Sequence, residues 1–115
     1  MNRGSRGFAA MILVILSVSA VSQLRALAVR KQIFTGEVGD AMCGRKHMDG
    51  TPAECTRTCV AHGSNFALIV SEKIYILKTS DQSVLATLDK QAGKMATVTG
   101  VLTDDTIEVS SVSAK

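Results

Sequence analysis

The alternation of apolar and polar side chains predicts β-strands over most of the chain after residue 32. The five predicted strands are residues 33–40, 66–70, 74–78, 94–102 and 106–112. The second and third of these are almost entirely apolar, which is typical of strands that are covered on both faces. Gly100 interrupts the fourth segment and predicts a β-bulge there. The pattern therefore predicts a chain built mainly from β-strands.

A helix start stands between the first two predicted strands. Thr51 can cap a helix, Pro52 suits the first helical position, and Glu54 follows the cap by three residues, as in a capping box. The predicted helix runs from Pro52 to about His62, where Gly63 closes it. The whole segment 41–63 is therefore interpreted as a helical insertion between strands 1 and 2.

A second helix is predicted between the third and fourth strands. Residues 79–81 can cap it, Val84, Leu85 and Leu88 recur at helical spacing, and Gly93 ends it. Five strands with a helix between the third and the fourth predict a small, mainly β domain with two short helices, in the form of an OB-like barrel. An open α+β sheet with the same elements is the alternative.

The N-terminal segment, residues 1–28, has the pattern of a secretory signal. It has a positively charged start, an apolar run over residues 8–21, and a small-x-small cleavage pattern that ends at Ala28, with a second at Ala20. Polar side chains end the run before the roughly 20 apolar residues that a membrane span needs. We therefore expect cleavage rather than a stable membrane anchor, and a periplasmic or secreted single domain of residues 29–115.

The charge balance depends on this segment. The full chain has 13 Lys and Arg against 10 Asp and Glu, a net charge of +3. Arg3, Arg6 and Arg25 belong to the predicted signal and no acidic residue does, so the remainder is formally neutral. A neutral domain with few aromatic residues is not expected to bind nucleic acid, and Phe34, Phe66 and Tyr75 are expected in the core.

All three cysteines and both histidines of the chain lie between residues 40 and 63. Cys43 and His47 precede the predicted helix, and Cys55 and Cys59 lie four apart on it, so that their side chains are neighbours. Thiolate and imidazole groups are the ligands that zinc and copper prefer, and four of them complete a tetrahedral site. His62 can replace His47 or support the site. The favoured function is therefore binding of zinc or copper, in a structural site or in metal handling outside the cytoplasm.

A disulfide is the alternative, because exported proteins usually pair their cysteines. Cys43 would then bond to Cys55 or Cys59, and the domain would be a binding module for a protein or small ligand without metal. An odd number of cysteines leaves one that could link two chains in a homodimer. A third hypothesis is a thiol-based redox protein that uses the unpaired cysteine. No catalytic residue set is predicted, and the chain is not expected to be an enzyme.

The segment also resembles known proteins. Asp40-x-x-Cys43-Gly44-x-x-His47-Met48, followed by Cys55-x3-Cys59-Val60, looks like a group of small exported bacterial proteins of uncharacterised function. The resemblance extends over residues 34–112. In the order of strands and helices alone, the chain is similar to periplasmic bacterial OB-fold proteins. Neither resemblance implies an activity.

Overall fold

The structure, a computed structural model, describes residues 30–46 and 50–115. Its elements in chain order are β1 (Gln32–Asp40), α1 (Pro52–Ala61), β2 (Phe66–Val70), β3 (Lys73–Lys78), α2 (Gln82–Gln91), β4 (Met95–Thr103) and β5 (Thr106–Ala114). Within these residues, the prediction of a mainly β fold with five strands and two helices is confirmed. The predicted signal peptide, residues 1–28, lies outside the described residues. Within the described part, no helix is long and apolar enough to cross a membrane.

The five strands form one sheet that closes into a ring in the order β1-β2-β3-β5-β4. β1 pairs antiparallel with β4 through its first six residues and with β2 through its last four, where Asp40 lies opposite Phe66. The only parallel pairing among the described strands joins β3 to β5. The register of β4 and β5 shifts between Thr99 and Gly100, which confirms the predicted irregularity at Gly100. The assignment to an OB-like barrel stays a prediction.

The hydrophobic core is formed by side chains of all five strands and of α2. Its buried residues are Val38, Phe66, Leu68, Leu77, Val84, Leu88, Ala96, Val98, Ile107 and Val109. The aromatic residues Phe34 and Tyr75 are partly buried against this cluster, and their ring centroids lie 5.4 Å apart. Phe66 is buried, so the predicted core positions of the aromatic side chains agree with the structure.

Helix α1 begins as the sequence predicts. The Thr51 hydroxyl accepts a hydrogen bond from the Glu54 amide at 3.2 Å, and the Glu54 carboxylate accepts one from the Thr51 amide at 3.0 Å. The first turn lies on Gly93, which has a φ of +75°, and a Cβ built there would be 2.8 Å from the backbone nitrogen of Ala53. This close approach holds α1 beside the end of β1, because the Gly93 amide also donates to the Val38 carbonyl at 2.8 Å.

Candidate metal centre

Asp40, the last residue of β1, is fully buried. Side chains of a strand alternate between its two faces, and Asp40 has the parity of Val38, which is also fully buried. The inward face of β1 therefore ends in a carboxylate. A buried carboxylate is costly unless hydrogen bonds or a cation compensate for lost hydration.

One oxygen of this carboxylate accepts hydrogen bonds from the turn that follows β1, residues 41–45. Asp40 Oδ1 accepts hydrogen bonds from the backbone amides of Met42 at 3.0 Å and Cys43 at 2.8 Å, and the Asp40 carbonyl accepts one from Gly44 at 3.0 Å. Gly44 adopts a φ of +56°, which is the left-handed region that favours glycine. These contacts fix the backbone of Cys43 directly beside the Asp40 carboxylate.

The other oxygen, Oδ2, is buried and has no hydrogen-bond partner among residues 30–46 and 50–115. Most buried polar atoms in folded proteins do have a partner, so an orphaned carboxylate oxygen calls for an explanation. A metal ion bound to Oδ2 would supply one.

Helix α1 supplies two thiols to the same place. Cys55 and Cys59 lie one turn apart on α1, and α1 packs against β1. Each of Asp40, Cys43, Cys55 and Cys59 offers a ligand atom that lies within 4.8 Å of the other three. Cys43 Sγ and Cys59 Sγ are only 3.3 Å apart. Three sulfur atoms and one carboxylate oxygen therefore converge on one point where β1, the turn and α1 meet.

The three thiols perturb one another. The hydrogen bond with Cys43, burial and the negative charge of Asp40 raise the pKa of Cys59 to about 12. The hydrogen bond with Cys59 lowers the pKa of Cys43, but burial, the Cys55 thiol and the Asp40 charge outweigh it, so the pKa of Cys43 is raised. These two sulfurs are therefore protonated at neutral pH before a metal binds, and binding must displace their protons.

The distances suit a tetrahedral zinc ion. Zinc–sulfur bonds of about 2.3 Å at tetrahedral angles place two sulfur ligands about 3.8 Å apart. The ligand atoms of the four residues lie within 4.8 Å of one another, which exceeds the ideal sulfur–sulfur distance by at most about an ångström. Small side-chain rotations can remove this difference. The contact of 3.3 Å between Cys43 and Cys59 needs to open by about half an ångström. The residues present therefore fit a bound metal ion.

The structure brings together three of the five predicted ligands. Cys43, Cys55 and Cys59 belong to the convergent group, whereas His62 does not and is exposed at the C-cap of α1. His47 lies outside the described residues, and its role stays a prediction. None of the three cysteines forms a disulfide in this structure.

Asp40 was missed as a ligand by the sequence reasoning, which placed it in a strand and at the start of the Asp40-x-x-Cys43 motif but gave it no role. A signal was present, because residues of the same parity in that strand, such as Phe34 and Val38, point into the core. A carboxylate at the inward end of such a series, three residues before a cysteine, is a ligand candidate. We refer to Asp40, Cys43, Cys55 and Cys59 as the Cys/Asp cluster.

Comparisons with protein-family models, with curated proteins and with solved structures found no match for this chain. The resemblance to small exported bacterial proteins therefore stays a prediction.

Proposed function

We propose that this protein binds one zinc ion through the Cys/Asp cluster, in a site that fastens the turn and α1 to the end of β1. The observation that carries the proposal is the convergence of three thiols on a buried carboxylate whose Oδ2 has no partner in the described part of the chain. A carboxylate alone or a pair of thiols alone would be weaker support. Together they offer four ligand atoms, the number that zinc takes in structural sites.

The carboxylate favours zinc over copper. Cu(I) prefers soft ligands such as thiolate and thioether, whereas zinc binds sulfur and oxygen ligands in the same site. Copper would therefore use only Cys43, Cys55 and Cys59, and would leave the buried Asp40 oxygen without a partner. Copper remains the second candidate metal.

A four-ligand site favours a structural or metal-handling role over catalysis. Catalytic zinc usually keeps a position open for water or substrate, and four protein ligands would fill it. Cys55 is buried, at 7% exposure, whereas Cys43 and Cys59 are half-buried. Two of the ligands thus lie close enough to the surface for the metal to exchange with solution.

Metal analysis of the reduced full chain tests the proposal. The chain is purified without chelator, incubated with zinc or with Cu(I), and desalted, and bound metal is then measured by elemental analysis. We expect about one zinc per chain. The affinity of each metal is compared with its affinity for a three-cysteine reference peptide, and the chain should exceed the peptide by a larger factor for zinc than for Cu(I). Free thiols are counted in the chain as purified, before reduction; one free thiol there, together with no metal bound after reduction, would instead support the disulfide-stabilised binding module.

Variants identify the ligands. Cys55→Ser and Asp40→Asn should each weaken zinc binding by at least tenfold, about 1.4 kcal/mol. Asn can still accept the amide hydrogen bonds of the turn, so that its effect reports the lost charge. Thr58→Ser, at an exposed position of α1, is the matched control and should bind zinc as the wild type does. His62→Ala and His47→Ala test the two histidines, and loss of zinc in either one would contradict the Asp40 assignment.

We also propose that the chain is exported after removal of residues 1–28 and that its ring of strands is an OB-type barrel. The charge and apolar pattern of that segment supports export, and the position of α2 between β3 and β4 supports the barrel type. N-terminal sequencing of the protein from the exported fraction should find Val29 or Val21 first. An intact Met1 in the cytoplasmic fraction would contradict export.

A further inference from the structure

The three thiols of the Cys/Asp cluster are not equivalent. Cys43 Sγ and Cys59 Sγ are 3.3 Å apart and half-buried, whereas Cys55 is 7% exposed. The close pair joins two separate parts of the chain, the turn after β1 and helix α1. A solution oxidant can therefore reach these two sulfurs more easily than it can reach Cys55.

The distance between Cys43 Sγ and Cys59 Sγ lies between the sulfur–sulfur distance of a disulfide and that of two ligands of one zinc ion. A disulfide needs the two sulfurs at about 2.05 Å, which is closer by about 1.3 Å than the observed contact. A tetrahedral zinc ion needs them at about 3.8 Å, which is wider by about 0.5 Å. Rotations of the two side chains can supply either shift, but one pair of sulfurs cannot be in both states.

We propose that Cys43 and Cys59 form a reversible disulfide and that this bond and the bound metal ion exclude each other. The exclusion rests on the proposed zinc site, because it assumes that both sulfurs are ligands. Small disulfides such as oxidised glutathione are the oxidants that fit, since they exchange with thiols through a mixed disulfide.

The exchange takes place in two steps. One protein sulfur, as its thiolate, attacks a sulfur of oxidised glutathione, and the first glutathione thiolate leaves. The second protein sulfur then attacks the bonded one, and the second glutathione thiolate leaves. The protein loses two electrons to the glutathione disulfide. In the metal-free chain the two protons lost by the protein thiols end on the two glutathione thiolates. In the zinc-bound chain the protein releases the zinc ion in place of those protons, and the glutathione thiolates take protons from water.

Formation of the bond removes two of the four zinc ligands. Asp40 and Cys55 alone cannot complete a tetrahedral zinc site, so the ion is released. Reduction of the disulfide restores all four ligands. The redox state around the protein therefore decides whether the turn is fastened to α1 by zinc or by a covalent bond.

The test uses the reduced, zinc-loaded full chain with oxidised glutathione added. Released zinc is measured with a chelating dye, and the disulfide is located by peptide mass spectrometry after free thiols are blocked. We expect one zinc released per disulfide formed, a Cys43–Cys59 bond, a blocked Cys55, and reloading after reduction. A bond that includes Cys55, a disulfide-linked dimer on a non-reducing gel, or a Cys43–Cys59 bond with zinc retained would each overturn the inference.

Cys55→Ser separates this inference from the proposed function. The variant loses a metal ligand but keeps the close pair, so we expect it to form the Cys43–Cys59 bond even when zinc is present. Wild type that binds zinc but forms no such bond overturns the inference alone. A chain that forms the bond but never binds zinc overturns the proposed function and, with it, the exclusion. Thr58→Ser is again the control and should behave as wild type in both assays.

Discussion

Helices α1 and α2 have the same length, ten residues, and each begins with a capping side chain, but they bury different kinds of group. α2 buries Val84 and Leu88 in the hydrophobic core. α1 buries Cys55 and Thr56, and the Thr56 hydroxyl has no hydrogen-bond partner in the described part of the chain. The two helices therefore differ in the free energy that each gains when it packs against the sheet.

Burial of aliphatic side chains favours the docking of α2, by about 1.5–3 kcal/mol for each fully buried Val or Leu. α1 gains less, because its Val60 is only partly buried against the core and because an unpaired buried hydroxyl costs about 1–3 kcal/mol. Arg57 of α1 also contacts Asp89 of α2, through an ion pair at 3.4 Å and through hydrogen bonds to the Asp89 carbonyl at 2.8 and 3.3 Å. Both side chains are exposed, so the ion pair itself contributes little. We conclude that α2 is held mainly by the core, whereas α1 has only the partly buried Val60 against the core and depends more on its cap, on Gly93 and on the Cys/Asp cluster.

Leu88→Ala should have the largest effect on stability. Leu88 is 1% exposed, and its truncation leaves a cavity, so the free energy of unfolding should fall by about 2–5 kcal/mol. Urea denaturation measures this change. Ala86→Ser, at an exposed position of α2, is the control and should stay within about 0.5 kcal/mol. If the folded Leu88→Ala protein lost zinc as Cys55→Ser does, the two helices would not be independent.

Hydrogen exchange compares the two helices directly. In the metal-free chain the amides of α1 should exchange faster than those of α2, because fewer apolar contacts oppose local opening. Zinc at 100 times its dissociation constant should add about 2.7 kcal/mol to the free energy of opening of α1. The difference in protection between α1 and α2 should then become smaller. Equal protection of the two helices without metal would contradict the comparison.

Thr56→Val should stabilise the protein, by about 1 kcal/mol. The change keeps the volume of the side chain and removes a buried hydroxyl that has no partner. Thr58→Val, on the exposed side of the same helix, is the control and should be neutral or slightly destabilising. Thermal denaturation of the metal-free chain measures both variants, and a clear loss of stability in Thr56→Val would show that the hydroxyl is bonded.

The cap of α2 should give the smallest effect, and it depends on pH. Hydrogen bonds from the Ser83 hydroxyl and amide lower the pKa of Asp81 below its ordinary value of 3.8. Because the folded-state pKa is the lower one, the stabilisation is present above pH 3.8 and is lost as pH falls through the folded-state pKa. Asp81→Asn keeps a capping side chain and should flatten the acid limb of the stability curve. An unchanged acid limb would contradict this account.

The fold was predictable where the signals are local. The capping box at Thr51 and the bulge at Gly100 come from short sequence patterns, and both are present in the structure. The parallel pairing of β3 with β5 joins segments about thirty residues apart and has no local signal.

The site was predictable in part for the same reason. Cys55 and Cys59 are one helical turn apart, so their proximity follows from the helix alone. His62 is seven residues after Cys55 and would lie on the same helical face if the helix continued, but α1 ends at Ala61. Asp40 and Cys43 are held together by the local turn, but the packing of α1 against β1, which brings Cys55 and Cys59 to them, is not visible in sequence spacing.

The central claim is that zinc has three sulfur ligands and one carboxylate oxygen. X-ray absorption spectroscopy of the zinc-loaded full chain counts both kinds of neighbour. We predict three sulfur atoms at about 2.3 Å and one oxygen at about 2.0–2.2 Å, and replacement of that oxygen contact in Asp40→Asn. Two sulfur atoms with two imidazole nitrogens, or a spectrum that Asp40→Asn leaves unchanged, would contradict the claim.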